Sequence, residues 1–159
     1  MTFWRVVDWL VDSLAAVLLL VMSLVLAVEV VFRYGLNRPL SWTLEVSLFC
    51  FVWMVWLGAN GQMRGERQIR IDIVETYAPK SIQRVLLPAN TVLSLVFLVF
   101  VIYYGVQVTE SQMSAVYDIL PFSRGILYAA APVGGSLMLL TLGRVLVRQI
   151  RRYYGGRGA

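Results

Sequence analysis

Histidine is absent from this chain, and cysteine occurs once, as Cys50. Without imidazole there is no His-ligated haem, no His-metal site and no His-based catalytic triad. A lone thiol cannot cycle an internal disulfide. No glycine-rich phosphate loop of the Walker type is present, which argues against ATP hydrolysis. Charge is scarce too: 14% of the 159 residues are charged, against about 25% in soluble domains. No catalytic residue, cofactor or metal is therefore assigned, and an enzyme is not expected. Acid-only chemistry from Glu110 and Asp118 is formally open, but a solvated loop is the simpler reading of both.

Apolar residues make up 59% of the chain, and the mean hydropathy is +0.73. Charges are excluded from Ser13–Val28, Val46–Met63, Val85–Thr109 and Gly125–Gly143, runs of 16, 18, 25 and 19 residues. A bilayer is crossed by roughly 20 mostly apolar helical residues, and about 18 uncharged ones already mark a candidate. The expectation is an all-α polytopic membrane protein, one membrane domain over residues 1–159. Its four transmembrane helices are expected at about 9–32, 42–63, 86–109 and 125–147. The first run is longer than a signal-peptide core, and Glu29, Arg33 and Tyr34 follow it instead of a small-residue cleavage site, so it reads as a retained helix.

Of the 14 basic residues, 11 lie before the first span, in the second connection or in the tail. The positive-inside rule then makes both termini and the middle loop cytoplasmic. The net charge of +5 and the pI near 9.7 are read as loop charge facing anionic lipid, not as a nucleic-acid surface.

The connections differ in character. Gly35, Asn37 and Pro39 make a tight first turn, and Ser41 is placed to cap the helix that starts at Trp42. The second connection, about 64–85, spaces Ile69, Ile73 and Tyr77 by four, with Ile82, Val85 and Leu86 further on and Arg70, Asp72, Glu75, Lys80 and Arg84 elsewhere. That pattern predicts short amphipathic helices in the cytoplasmic interface, broken at Pro79; the alternative is a plain solvated loop. Trp4 and Trp9, with Arg64, Arg67, Arg70 and Asp72, are the expected interfacial anchors. Trp53 and Trp56 lie deeper and face either another protein or, more commonly, lipid.

Few polar groups must be tolerated inside the membrane. Glu29 sits between Val28 and Val30, and an embedded carboxylate costs about 2.5–3.5 kcal/mol on insertion scales. Arg33, four residues on, shares its helix face, and Glu45 at the start of the next helix competes for that arginine. Two readings are open: a proton or cation site at Glu29, or a Glu29–Arg33–Glu45 cluster beside Trp42 that locks the hairpin. Packing is the favoured one. Asp12 is expected to be hydrated or paired with Arg5 or the amino terminus. Asn60, Gln62 and Asn90 are candidates for hydrogen bonds between helices, Gly134-Gly135-Ser136 for close approach, and Pro132 for a kink. Pro88 suits a first helical turn.

Phe32-Arg33-Tyr34, Pro39, Trp42 and Glu45, then Trp53, Gly58-Ala59, Arg64, Ile69 and Asp72, occur in an order and spacing that resembles the small, DctQ-type membrane subunit of tripartite ATP-independent periplasmic (TRAP) transporters. The likeness runs from about Val31 to Pro79, and length and topology extend it over the chain. It departs at Leu44, where the family commonly shows an acid before that of Glu45, and at Gln68, where a histidine is frequent. The resemblance implies a non-catalytic small permease subunit in a symport complex. Its partners would be a large multi-span subunit that carries solute and sodium by an elevator motion, and a periplasmic substrate-binding protein that delivers a carboxylate. Arg38, Tyr117 and Arg124 would be candidate contacts for that binding protein. The competing reading is an autonomous four-helix, proton-coupled exporter of small molecules or cations that uses Glu29. Against it stand Arg33 one turn away and the position of Glu29 near the end of its span, whereas a coupling site is expected near the midplane.

Overall fold

The structure is a computed structural model that describes residues 2–64, 80–117, 119 and 121–154. Helix α1 spans Thr2–Val30 and widens into a π-helical turn at Val31–Gly35. Helix α2 spans Trp42–Arg64, α3 Lys80–Gln112, the single turn α4 Gly125–Tyr128, and α5 Ala130–Tyr154. Four segments, Trp4–Gly35, Trp42–Met63, Ala89–Gln112 and Gly125–Arg148, are long and apolar enough to cross a membrane. This is an all-α, four-span membrane architecture. At about 1.5 Å per residue, the 29 residues of α1 exceed the roughly 30 Å hydrocarbon core.

The spans form an open row. Helix α1 lies along α2, α2 along α5, and α5 along α3, whereas among the described residues α1 and α3 share no extended interface. The core sits where α2 and α3 meet α5, around Leu98, Met138 and Leu142, with Trp56, Ala59, Met63, Leu95 and Leu139 packed against it. Among the described side chains of α1 only Ala15 is buried, whereas half of an 18-residue stretch of the last span is buried. In water such a row would leave a very large apolar surface exposed. In lipid the hydrocarbon tails are as apolar as leucine, so exposure costs little and association depends on close packing and polar contacts.

Both devices are present. A Cβ on Gly134 would lie 2.7 Å from the Trp56 Cβ, and one on Gly135 3.1 Å from Ile102. The small pair therefore lets α5 approach α2 on one side and α3 on the other. Thr43, Cys50 and Leu57, all buried, are seven residues apart and line one side of α2, the spacing of a left-handed helix–helix seam.

Several sequence expectations are corrected. Trp53 and Trp56 do not simply face lipid: the Trp53 indole donates to the Ile126 carbonyl at 3.2 Å, and Trp56 packs on Gly134 and the core. Among the three amides only Asn60 is buried; Gln62 and Asn90 are exposed. Pro132 lies in the first turn of α5, where a missing N–H is tolerated, and the break falls at Ala129, between α4 and α5. Helix α3 begins at Lys80, before the expected boundary, so Pro88 is interior to it rather than in its first turn. Arg67, Arg70, Asp72 and the Pro79 break lie outside the described residues, as do Asp118, Leu120 and the side chain of Arg64.

Candidate functional site: two polar clusters at the ends of the helix row

Polar side chains gather at the two ends of the row. At the hairpin end, α1 closes with an Arg33–Glu29 ion pair at i,i+4. The Glu29 side chain is 12% exposed and Arg33 is 51% exposed. The carboxylate is thus shielded beneath its own cation, which offsets the cost of placing it near hydrocarbon. The chain reverses through Asn37 at φ 52°, a left-handed conformation that asparagine tolerates. The Phe32 carbonyl accepts from the Leu36 and Arg38 amides at 3.3 and 3.1 Å. The Thr43 hydroxyl donates to the Leu40 carbonyl at 2.7 Å, and Trp42 is partly exposed beside it. Arg38 is exposed.

Glu29 and Arg33 are brought together at the end of α1, and Glu45 stands in the first turn of α2. It is buried, and its charge is felt at Tyr117, across the row. Tyr117 belongs to the turn between α3 and α4, which Ser123 ties together. The Ser123 hydroxyl donates to the Met113 carbonyl at 2.7 Å and accepts from the Gly125 amide at 3.1 Å. The Arg124 amide donates to the Ala115 carbonyl at 2.7 Å, and the Tyr117 amide to the Phe122 carbonyl at 3.1 Å. A Cβ on Gly125 would meet the Met113 sulfur at 2.8 Å and the Thr109 carbonyl at 3.0 Å, so glycine is needed for this closure. The Arg124 guanidinium stands 5.8 Å from the Tyr117 ring centroid. Burial pushes the Tyr117 phenol above its ordinary value, Glu45 pushes it further, and Arg124 partly opposes them.

At the end carrying both termini, a second cluster joins three helices. The buried Thr141 hydroxyl donates to the Asn60 side-chain oxygen at 2.8 Å and accepts from the Arg144 guanidinium at 3.0 Å. Arg144 also lies 3.7 Å from the Asp8 carboxylate and 4.2 Å from the Trp4 ring centroid. Trp4 is a cation–π partner of Arg144, and both Trp4 and Trp9 are exposed, as an anchor at the interface requires. Asp12 faces α2: a Cβ on Gly61 would come within 3.2 Å of its carboxylate.

The sequence reading had Asn60 but missed Asp8, Thr141 and Arg144 as its network. The available signal was Thr141 and Arg144 at i,i+3 near the end of the last span. Chemically, both clusters bind helices to one another. Among the described residues no group of three or more acids and cysteines is placed to hold a metal ion.

Comparison with known proteins agrees with this architecture. The family model described as "Tripartite ATP-independent periplasmic transporters, DctQ component" matches residues 22–152. A TRAP transporter small permease protein of Haemophilus influenzae is 24% identical over 127 residues, 80% of this chain and 79% of the relative. A second from the same organism is 21% identical over 129 residues, 81% of this chain and 78% of the relative. The C4-dicarboxylate TRAP transporter small permease protein DctQ of Vibrio cholerae is 30% identical over 77 residues, which cover 48% of this chain and 33% of the relative.

Proposed function

Because the chain belongs to the DctQ component family of tripartite ATP-independent periplasmic transporters, a family of transporters and not of enzymes, we propose that it is the scaffold subunit of such a transporter. In this reading it stands beside a large elevator-type subunit that imports a carboxylate-type solute with sodium, loaded by a periplasmic binding protein. The membrane is the bacterial inner membrane, with both termini cytoplasmic. The Vibrio cholerae relative's name carries the word C4-dicarboxylate, which supports the substrate class.

One observation carries the reading. The helices form an open row whose polar groups close on one another, Glu29 on Arg33 and Asn60 on Thr141 and Arg144. A secondary transporter holds its solute and ions at the midplane, between repeats and on broken helices. Here the polar clusters sit at the ends, and the apolar flanks offer a rigid, membrane-wide surface. The moving parts and the solute ligands then belong to the large subunit. Contact with the binding protein is assigned to the exposed Arg38, with Tyr117 and Arg124 shaping the neighbouring turn.

The test is affinity purification of the tagged chain from native membranes in mild detergent. A much larger multi-span protein is expected to co-purify in constant ratio. Recovery of a self-associated species alone, together with Glu29-dependent cation movement by the purified chain in liposomes, would establish the exporter reading instead.

A further inference from the structure

Short hydroxyls inside α3 are satisfied by their own helix: Ser94, Thr109 and Ser111 donate to the Asn90, Gly105 and Val108 carbonyls. Tyr103 and Tyr104 cannot follow, because a phenol carries its hydroxyl too far from its own backbone. Among the described residues neither hydroxyl has a hydrogen-bond partner, and the two rings meet edge to face with centroids 5.3 Å apart. Both residues are deep. In the span Ala89–Gln112 they stand nine and eight residues before its end, about 12–14 Å along the axis, close to the middle of a hydrocarbon core roughly 30 Å thick. Side chains on a helix lean toward its N-terminus, here away from the Gln112 end. The hydroxyls are therefore directed toward the midplane, unlike those of an interfacial aromatic belt.

With Leu93, Phe97 and Phe100 the two tyrosines make one outer face of α3, its residues 55–69% exposed. Leu93, Phe97, Phe100 and Tyr104 recur at intervals of four, three and four, the spacing of a left-handed helix–helix seam. The flank of α1, at the other end of the row, differs. From Leu14 to Val28 it has no aromatic residue, and its exposed hydroxyl, Ser23, donates to the Leu19 carbonyl of its own helix. Lipid can cover that flank and leave nothing unmet.

We infer that the Phe97–Tyr104 face of α3 is where the row meets the large subunit, through a transmembrane helix that presents hydrogen-bond acceptors to Tyr103 and Tyr104 near the midplane. The inference rests on the scaffold reading and adds which flank is covered. Lipid cannot supply these acceptors, because its ester and phosphate oxygens lie at the edge of the core, roughly 15 Å from the middle; water is absent there as well. A hydroxyl unpaired in hydrocarbon is costly. A protein helix offers the remedy in a Ser, Thr, Asn or Gln side chain, or in a carbonyl freed by a helix break. The rings contribute contact area, as aromatic anchors do at interfaces.

Site-specific photo-crosslinking in native membranes reads the contact. Benzoylphenylalanine in place of Phe97 is expected to capture a multi-span protein much larger than this chain, and in place of Val17, on the α1 flank, to capture none. Failure at Phe97, or capture there of lipid or of a second copy of this chain, overturns the inference, as does equal capture at the two sites. The scaffold reading survives that failure if the large protein still co-purifies, and falls with it if nothing larger does. Tyr103→Phe combined with Tyr104→Phe keeps both rings and removes the hydroxyls. Retention of the large protein in detergent should fall about five- to tenfold, the scale of two average interhelical hydrogen bonds in a membrane. The thermal transition of the purified chain alone should not move, because the hydroxyls make no bond within it. Retention equal to the parent's, or a matching loss of stability in the chain alone, overturns the assignment.

Discussion

Asn60 and Thr141 are both 2% exposed and bonded to each other. Their bond is one of the few directional contacts between α2 and α5. Interhelical hydrogen bonds in membranes average about 0.6 kcal/mol and reach about 1.7 kcal/mol. Thr141→Val should cost about that much in a reversible unfolding titration in detergent, and combining it with Asn60→Leu should cost less than the two separately. Gly134 sets a sterner limit. With a Cβ 2.7 Å from that of Trp56, Gly134→Ala overpacks the α2–α5 crossing and should destabilise by about 1–3 kcal/mol. Gly58→Ala, where nothing lies within 4 Å, should be near neutral. At Tyr117 the phenol is raised from its ordinary 10.0. A raised value in the folded state means a stabilising contribution that is complete below pH 10 and is lost as pH rises through the folded pKa. Tyr117→Phe should therefore remove one late-titrating phenolate from the near-ultraviolet absorbance titration and reduce the loss of stability above pH 10.

At the scale of elements, one hydroxyl reinforces the two backbone hydrogen bonds that close the α3–α4 turn. Ser123 satisfies the Met113 carbonyl at the end of α3 and the Gly125 amide at the start of α4. Ser123→Ala strands both and should cost about 1–3 kcal/mol of local stability. The expected readout is faster amide hydrogen exchange across residues 113–126, with exchange in the middle of α3 unchanged. At the opposite end α1 is held by Arg144, through Asp8 and Trp4. Cation–π contacts contribute about 0.5–2 kcal/mol, so Trp4→Leu, which removes the Arg144 contact, should loosen the first turns of α1 more than Trp9→Leu.

The whole molecule is an open row of helices with apolar flanks, suited to a partner in the same membrane. Under the proposed scaffold role, Glu29→Gln removes the ion-pair partner of Arg33 and should weaken recovery of the complex while leaving the sodium dependence of remaining uptake unchanged. A changed sodium dependence would place Glu29 in the transport mechanism. Topology is checked in a Cys50→Ser background. An impermeant thiol reagent added outside should label Ser114→Cys and spare Ser81→Cys.

Much of this architecture was readable from the chain, and the reasons are local. A helix crossing lipid must satisfy its own backbone and exclude charge over about 20 residues. Four charge-free runs therefore specified four spans, and Arg33 at i+4 from Glu29 specified their pairing within a single helix. The misreadings have one cause. Trp53 reaches the Ile126 carbonyl 73 residues away, and Thr141 reaches Asn60 across 81. Hydropathy carries no signal for such partners, because a lipid-facing tryptophan and a buried one satisfy the same apolar pattern. Likewise Gln62 and Asn90 resemble Asn60 in the sequence, but only Asn60 falls on a face of α2 that another helix covers.

Four spans, the absence of imidazole chemistry and the lack of an internal disulfide all follow from the chain alone, since solvation by lipid acts on each segment separately. The order of the row and the Arg144 network come instead from the folded arrangement. Those depend on which faces meet, and in lipid that is set by small residues and a few polar pairs rather than by burial of apolar surface.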